Sequence, residues 1–234
     1  MTDKTEFAGQ RIVVINPNST QAVTDGIDEA VEPLRFADGP SIDCITLIEG
    51  PPGIECQRHA DSVVGPLCDL ITREDNSANA FVIACFGDPG LHSARETTAK
   101  PVIGIAESSY AAALQLGELF GVLAILDNSA RRQRRYVRQL GLADRYVGSL
   151  PVGRGVTQLE GEAVAERMIK VGRDLINRKG ADVLIMGCAG MARQRAPVER
   201  TLGVPVIDPS QAGTAQAIAA VRLGYTVPKS PRPN

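Results

Sequence analysis

The feature that most restricts how this chain folds is a phrase written twice. Ala80-Phe81-Val82-Ile83-Ala84-Cys85-Phe86-Gly87-Asp88-Pro89-Gly90 and Asp182-Val183-Leu184-Ile185-Met186-Gly187-Cys188-Ala189-Gly190-Met191 share one plan. In each, an apolar run delivers a cysteine to its end, and a glycine-containing turn breaks the pattern. Short apolar runs closed by Gly or Pro read as buried strands emptying into loops. The echo extends outward. Pro101-Val102-Ile103-Gly104-Ile105 trails the first cysteine at almost the interval by which Pro205-Val206-Ile207-Asp208 trails the second. Upstream, Arg11–Ser19 (RIVVINPNS) resembles Gly121–Ser129 (GVLAILDNS). Strand, loop and strand recur in one order at an offset of 103 to 110 positions, which points to an internal duplication.

Expected strands lie at 11–16, about 42–48, the run before Cys85, and 101–105. The second half offers 121–126, about 145–150, the run before Cys188, and 204–207. Helices fall between them. One runs to Val31 from a cap at Asn18 or Ser19, and a second carries Ala60, Val63, Val64, Leu67, Leu70 and Ile71 at helical spacing. Others span Leu91–Lys100, Tyr110–Leu119 and the Arg-rich 131–138 region. A later one holds Val164, Met168, Val171 and Leu175 and closes on Gly180, another follows Cys188 to about Leu202, and the last runs over 211–222.

Strands alternating with helices give parallel sheets with right-handed crossovers. The expected fold is α/β, with two pseudo-symmetric lobes, each a four-stranded parallel sheet flanked by helices. Lobe one is 1–105, with a C-terminal helix (about 209–225) returning to it; lobe two is 106–208; 226–234 reads as a disordered tail. Ligands bind at the carboxyl ends of strands in such sheets, so the active site is expected in the cleft between the lobes.

Charge and cysteine usage exclude several functions. A net charge of −2 argues against nucleic acid as a partner. Arg131, Arg132, Arg134, Arg135 and Arg138 lack interleaved aromatic platforms and read as a solvated helix face. The first ten residues carry no secretory signal and no run approaches a membrane span, so a cytoplasmic protein with no membrane partner is expected. Five cysteines without CxxC spacing form neither a zinc signature nor a disulfide framework. Cys44 and Cys68 read as small core-facing residues, Cys56 as an inert loop thiol, and His59 and His92 as helix-surface residues. The loop Pro151–Gly155 completes neither a dinucleotide fingerprint nor a phosphate-binding loop.

Two thiols at matching strand ends remain. A thiol at a helix N-terminus is stabilised as thiolate, which brings its pKa toward neutrality and fits it to take or give a proton. Facing each other across a cleft, Cys85 and Cys188 could deprotonate a carbon on one face and reprotonate it on the other. That inverts a stereocentre without a cofactor, provided N–H donors hold the enolate-like oxygen. The backbone after each cysteine is placed to offer them.

Asn16-Pro17-Asn18-Ser19-Thr20, the ACFGDPG and PVIGIAE segments, and Gly187-Cys188-Ala189-Gly190-Met191 resemble the hydantoin racemase branch of the aspartate/glutamate racemase superfamily, which includes allantoin racemases. The resemblance covers about residues 11–225. It implies an isomerase: a cofactor-independent racemase of 5-substituted hydantoins or allantoin, with Cys85 and Cys188 as the acid/base pair. It also implies substrate-binding roles for Asn16, Asn18, Phe86, Gly87, Ala189 and Gly190, no metal, a small-molecule substrate, and a homo-oligomer. Amino-acid racemases of the superfamily carry Thr where this chain has Phe86 and Ala189, which favours a less polar, ring-like substrate. The loop Gly50–Cys56, the Arg-rich 131–138 stretch and Gly153–Gly155 also depart from the branch pattern. Rival readings are a maleate isomerase or acidic amino-acid racemase of the same superfamily, and a non-catalytic two-lobed protein that binds a small metabolite.

Overall fold

A computed structural model describes residue 7 and residues 9–159 and 161–227. It is an α/β protein with two four-stranded parallel sheets flanked by helices. The first sheet contains β1 (Arg11–Asn16), β2 (Ser41–Thr46), β3 (Ala80–Ile83) and β4 (Val102–Gly104), ordered β2-β1-β3-β4. The second contains β5 (Phe120–Ala124), β6 (Tyr146–Pro151), β7 (Val183–Met186) and β8 (Val206–Ile207), ordered β6-β5-β7-β8. The order is the same when each strand is replaced by its counterpart. Matching hydrogen bonds leave the ends of the paired strands: Ala84 N–H donates to Ile15 C=O, and Gly187 N–H donates to Leu123 C=O. The repeat read in the sequence is therefore a repeat of topology.

Alternation along the strands explains why helices cover both faces. Ile12 and Val14 enter one apolar cluster while Val13 and Ile15 enter another, and all four are fully buried. In β7, Leu184 and Met186 point to one side and Val183 and Ile185 to the other. A strand buried on both faces needs a continuous apolar run, which is what β1, β3 and β7 provide.

The nine α-helices among the described residues are α1 (Gln21–Val31), α2 (Gln57–Ser62), α3 (Val64–Glu74), α4 (Leu91–Thr97), α5 (Ile105–Leu116), α6 (Asp127–Gln139), α7 (Glu162–Lys179), α8 (Arg195–Leu202) and α9 (Pro209–Arg222). α5 leaves the first sheet but packs on β7 and β8 of the second, whereas α9 leaves the second and packs on β1, β3 and β4. The two helices also pack on each other, so the chain crosses between the sheets twice. Of the expected tail only Thr226 and Val227 are described; the rest lies outside the described residues, and Val227 N–H donates to Ala99 C=O at 2.9 Å.

Several expected boundaries move for identifiable reasons. The single helix expected around Ala60–Ile71 is two, α2 and α3, because Pro66 in the first turn of α3 has no N–H to continue the ladder. Neither Asn18 nor Ser19 caps α1. Its N-cap is Thr20, and the Asn18 Oδ1 accepts from Thr20 N–H instead, closing the turn before the helix. The segment after Cys188 enters a 3-10 turn (Ala189–Gln194) before α8. α5 starts five residues before the expected Tyr110. The residues that begin it offer no cap of their own; Asp88 supplies one from the Cys85 turn.

Candidate active site

β3 and β7 deliver the two cysteines to one place. Cys85 and Cys188 both line a narrow cavity of about 20 Å³, with Asn18, Phe86, Ile125, Ser129, Arg132, Ala189 and Gly190 around it. That volume holds about one water-sized sphere, so a ring-sized ligand requires the walls to part. A larger cavity of about 270 Å³ adjoins it and shares Ile54, Cys85, Phe86 and Arg132 as wall. A third, of about 130 Å³, lies on the Cys188 side and shares Val23, Val156, Ala189 and Gly190 with the narrow cavity.

Six of the other seven residues singled out beside Cys188 have a defined place here. Cys85, Asn18, Phe86, Ala189 and Gly190 border the narrow cavity, and Gly87 borders the large one. Asn16 borders none of the three. It is fully buried, its Nδ2 donates to Asn18 Oδ1 (3.2 Å) and Thr24 Oγ1 (3.0 Å), and its Oδ1 accepts from Asn18 N–H (3.2 Å). Asn16 thus holds the turn that presents Asn18.

The surroundings of the two thiols differ. Cys188 is the N-cap of the 3-10 turn, its side chain makes no capping hydrogen bond, and the nearby Gly190 N–H favours its thiolate. Cys85 is not at a helix start: α4 begins at Leu91, after a loop with Asp88 at φ +49°. The expectation that helix N-termini bring both thiols toward neutrality is not met. Burial pushes Cys188 up to about 11, despite the favourable Gly190 N–H. Burial holds Cys85 well above the ordinary thiol range; charge on Cys188 adds to this and Arg132 opposes it. Removing a sulfur from water outweighs the partial charge of a few N–H groups. Each thiolate disfavours the other, so a state with one thiol and one thiolate is the stable ionised form.

Two loops, one following β2 and one following β6, contribute Ile54 and Val156 to the wall of the cavity that holds the cysteines. Glu55 Oε1 accepts from Val156 N–H at 2.8 Å, 101 residues away. A Cβ on Gly155 would lie 2.5 Å from that oxygen, and one on Gly53 would lie 2.9 Å from Val156 Cβ. Arg132 Nη2 reaches Ile54 C=O at 3.5 Å, and Arg135 Nη2 donates to Gln57 Oε1 at 2.6 Å. The three stretches that depart from the branch pattern therefore meet at one place.

Two participants were not read from the sequence. Asp88, beside Cys85 in the motif, is 5% exposed and accepts from Ala106 N–H and Glu107 N–H at 2.9 Å each, capping α5. Tyr136 Oη lies 3.1 Å from Asp88 Oδ2 and 3.2 Å from Glu107 Oε1, and burial lifts the Asp88 carboxyl to about 7. Arg132 was hidden among five arginines; unlike Arg131, Arg134, Arg135 and Arg138 it is partly buried. Among the described residues no group of three or more His, Cys, Asp or Glu is placed to hold a metal ion, and no helix is long and apolar enough to cross a membrane.

Known proteins share this arrangement of sequence and fold. The chain is 37% identical to a hydantoin racemase of Pseudomonas sp. (strain NS671) over 94% of its length and 89% of the relative's. It is 33% identical to a hydantoin racemase of Paenarthrobacter aurescens, over 94% of both chains. An allantoin racemase structure from Klebsiella pneumoniae superposes with a TM-score of 0.90 at 29% identity, covering 96% of this chain and 95% of the other. The model of the Asp/Glu/hydantoin racemase family matches residues 12–217. By sequence and by fold, this chain belongs to the Asp/Glu/hydantoin racemase family.

Proposed function

We propose that this protein is a cofactor-independent racemase of a 5-substituted hydantoin or of allantoin, in which Cys85 and Cys188 carry the proton. The observation that carries the reading is that two cysteines from matching turns of the two sheets line one cavity. The hydantoin and allantoin racemases among its relatives favour the ring over an open-chain acid.

One cysteine, as thiolate, takes the proton from the ring carbon that bears the substituent. The electron pair moves onto the adjacent carbonyl oxygen, giving a planar enolate. The other cysteine, as thiol, delivers its proton to the opposite face, and the carbonyl re-forms. The protein ends with its thiol and thiolate exchanged, ready for the other enantiomer. Asn18 and the backbone N–H groups after the cysteines hold the ring oxygens where charge develops. The narrowness of the cavity keeps water from the carbanion once the ring is seated.

The test is turnover in D2O of single-enantiomer allantoin and a panel of 5-substituted hydantoins, followed by optical rotation and proton NMR together. Loss of rotation with deuterium entering the stereocentre is expected. Unchanged rotation with no exchange across the panel would overturn the reading.

The raised thiols also set a pH dependence. Below its pKa, the fraction of a thiol present as thiolate grows about tenfold per pH unit. With Cys188 up at about 11 and Cys85 held higher still, kcat/KM is expected to climb steadily from pH 6 to 9. A flat profile over that range would mean that the free enzyme already holds a thiolate at neutral pH.

A further inference from the structure

Arg132 carries a partly buried guanidinium with an unused face. Its Nη1 is shielded from solvent and has no hydrogen-bond partner among the described residues. Its Nη2 makes only long contacts, 3.5 Å to Ile54 C=O and 3.4 Å to Ser129 Oγ. A buried donor left unpaired is costly and uncommon, more so when it is charged. This one sits where the narrow cavity between the cysteines opens into the 270 Å³ cavity, and it lines both.

Among the charged groups around the large cavity, Asp88 is already committed and Asp61, Arg135 and His92 are exposed, which leaves Arg132 as the less exposed group with hydrogen-bonding capacity to spare. Both Asp88 oxygens are occupied, by Ala106 N–H and by Glu107 N–H and Tyr136. Asp61 Oδ1 accepts from Gln57 Nε2 at 2.7 Å. Arg135 and His92 stand at the exposed rim. A planar guanidinium fork matches a carboxylate better than it matches any neutral group.

From this geometry we infer that the large cavity is the subsite for the ring substituent, and that Arg132 selects substituents ending in a carboxylate. This rests on the racemase reading above and deepens it by naming the substrate class. A group bonded to the carbon between the thiols passes Arg132 as it leaves the narrow cavity, so once the walls part to seat the ring its terminal carboxylate reaches Nη1 and completes the hydrogen bonding of that nitrogen. Arg132 is a specificity-determining residue in this account, and the proton transfers stay with the cysteines.

The experiment compares two substrates of nearly equal shape, 5-carboxyethylhydantoin and its neutral amide analogue, 5-carbamoylethylhydantoin, with 5-benzylhydantoin as a third probe. The wild-type protein is expected to favour the carboxylate over the amide by about 30-fold in kcat/KM, the order of one charge-assisted hydrogen bond. Arg132→Gln should collapse that ratio toward one, chiefly through KM, and Arg132→Lys should restore part of it. The ratio is independent of how much of a variant folds, because both substrates meet the same active molecules. Equal turnover of carboxylate and amide by the wild type, or a ratio unmoved in Arg132→Gln, would overturn the subsite while leaving the racemase standing. Inactivity on all three hydantoins and on allantoin would overturn the racemase reading and the subsite with it.

Discussion

Cys85→Ser and Cys188→Ser are each expected to lower racemisation by about three orders of magnitude or more, since a positioned acid or base contributes about 10²–10⁴-fold and each turnover needs both. A serine hydroxyl neither ionises near neutral pH nor gives up its proton as readily as a thiol. The two variants should not behave identically in D2O. With one thiol left, one enantiomer can still lose its proton to the remaining cysteine and regain deuterium from the same face. Each variant is therefore expected to exchange one enantiomer without inverting it, and the two variants should prefer opposite enantiomers. Proton NMR of separately incubated enantiomers reads this directly. Exchange of both enantiomers by both variants, or racemisation surviving either substitution, would rule out the two-cysteine mechanism. Because the cysteines occupy different surroundings, with Gly190 N–H at Cys188 and Arg132 near Cys85, the residual rates should also differ.

The largest effect on stability is expected at the contact between Gly104 and Asp88. A Cβ on Gly104 would fall within the Asp88 carboxylate that caps α5. Gly104→Ala should therefore expel the carboxylate and leave two buried N–H groups unpaired, at a cost of about 2–4 kcal/mol. Asp88→Gly keeps the φ of +49° accessible while removing the cap, and should cost about 2–3 kcal/mol. The two are not independent. Once the carboxylate is gone the extra methyl meets nothing there, so the double variant should be more stable than the sum of the single effects predicts by at least about 1 kcal/mol. Urea unfolding of all four proteins gives the coupling, and strict additivity would show that the methyl acts elsewhere.

Asp88 also carries a pH signature. Burial raises its carboxyl from 3.8 to about 7, so between those values the folded protein binds more protons than the unfolded chain. Stability from this group is then greatest at the acid end and falls as pH rises through the window. Asp208, raised to about 6, adds a fall of the same sign. Asp88→Gly should flatten part of the slope and leave the Asp208 part.

The two acidic caps illustrate how the repeat was adapted. Asp208 caps α9 from within its own chain segment, accepting from Gln211 N–H at 2.9 Å. The position one repeat earlier is Gly104, which has no side chain to offer, and α5 takes its cap from Asp88 instead. The last helix, expected from residue 211, therefore starts only two residues early at Pro209, whereas α5, expected from Tyr110, starts five residues early at Ile105.

The sequence by itself determined the α/β class and the two four-stranded parallel sheets, while their common strand order came from the structure. Those follow from burial: a strand covered on both faces must be apolar throughout, and Gly or Pro marks where it stops. It also singled out Cys85 and Cys188, because a cysteine at a strand exit stands out when the same phrase occurs twice. Only the tertiary structure decided what meets them. Arg132 touches Ile54 across 78 residues, and Glu55 reaches Val156 across 101. No local period encodes such pairs, since a charged side chain on a helix looks the same whether it faces water or a cavity. The ionisation of the thiols was decided there too. A helix start can be guessed from a turn, but the desolvation that outweighs it exists only once the folded chain surrounds the sulfurs.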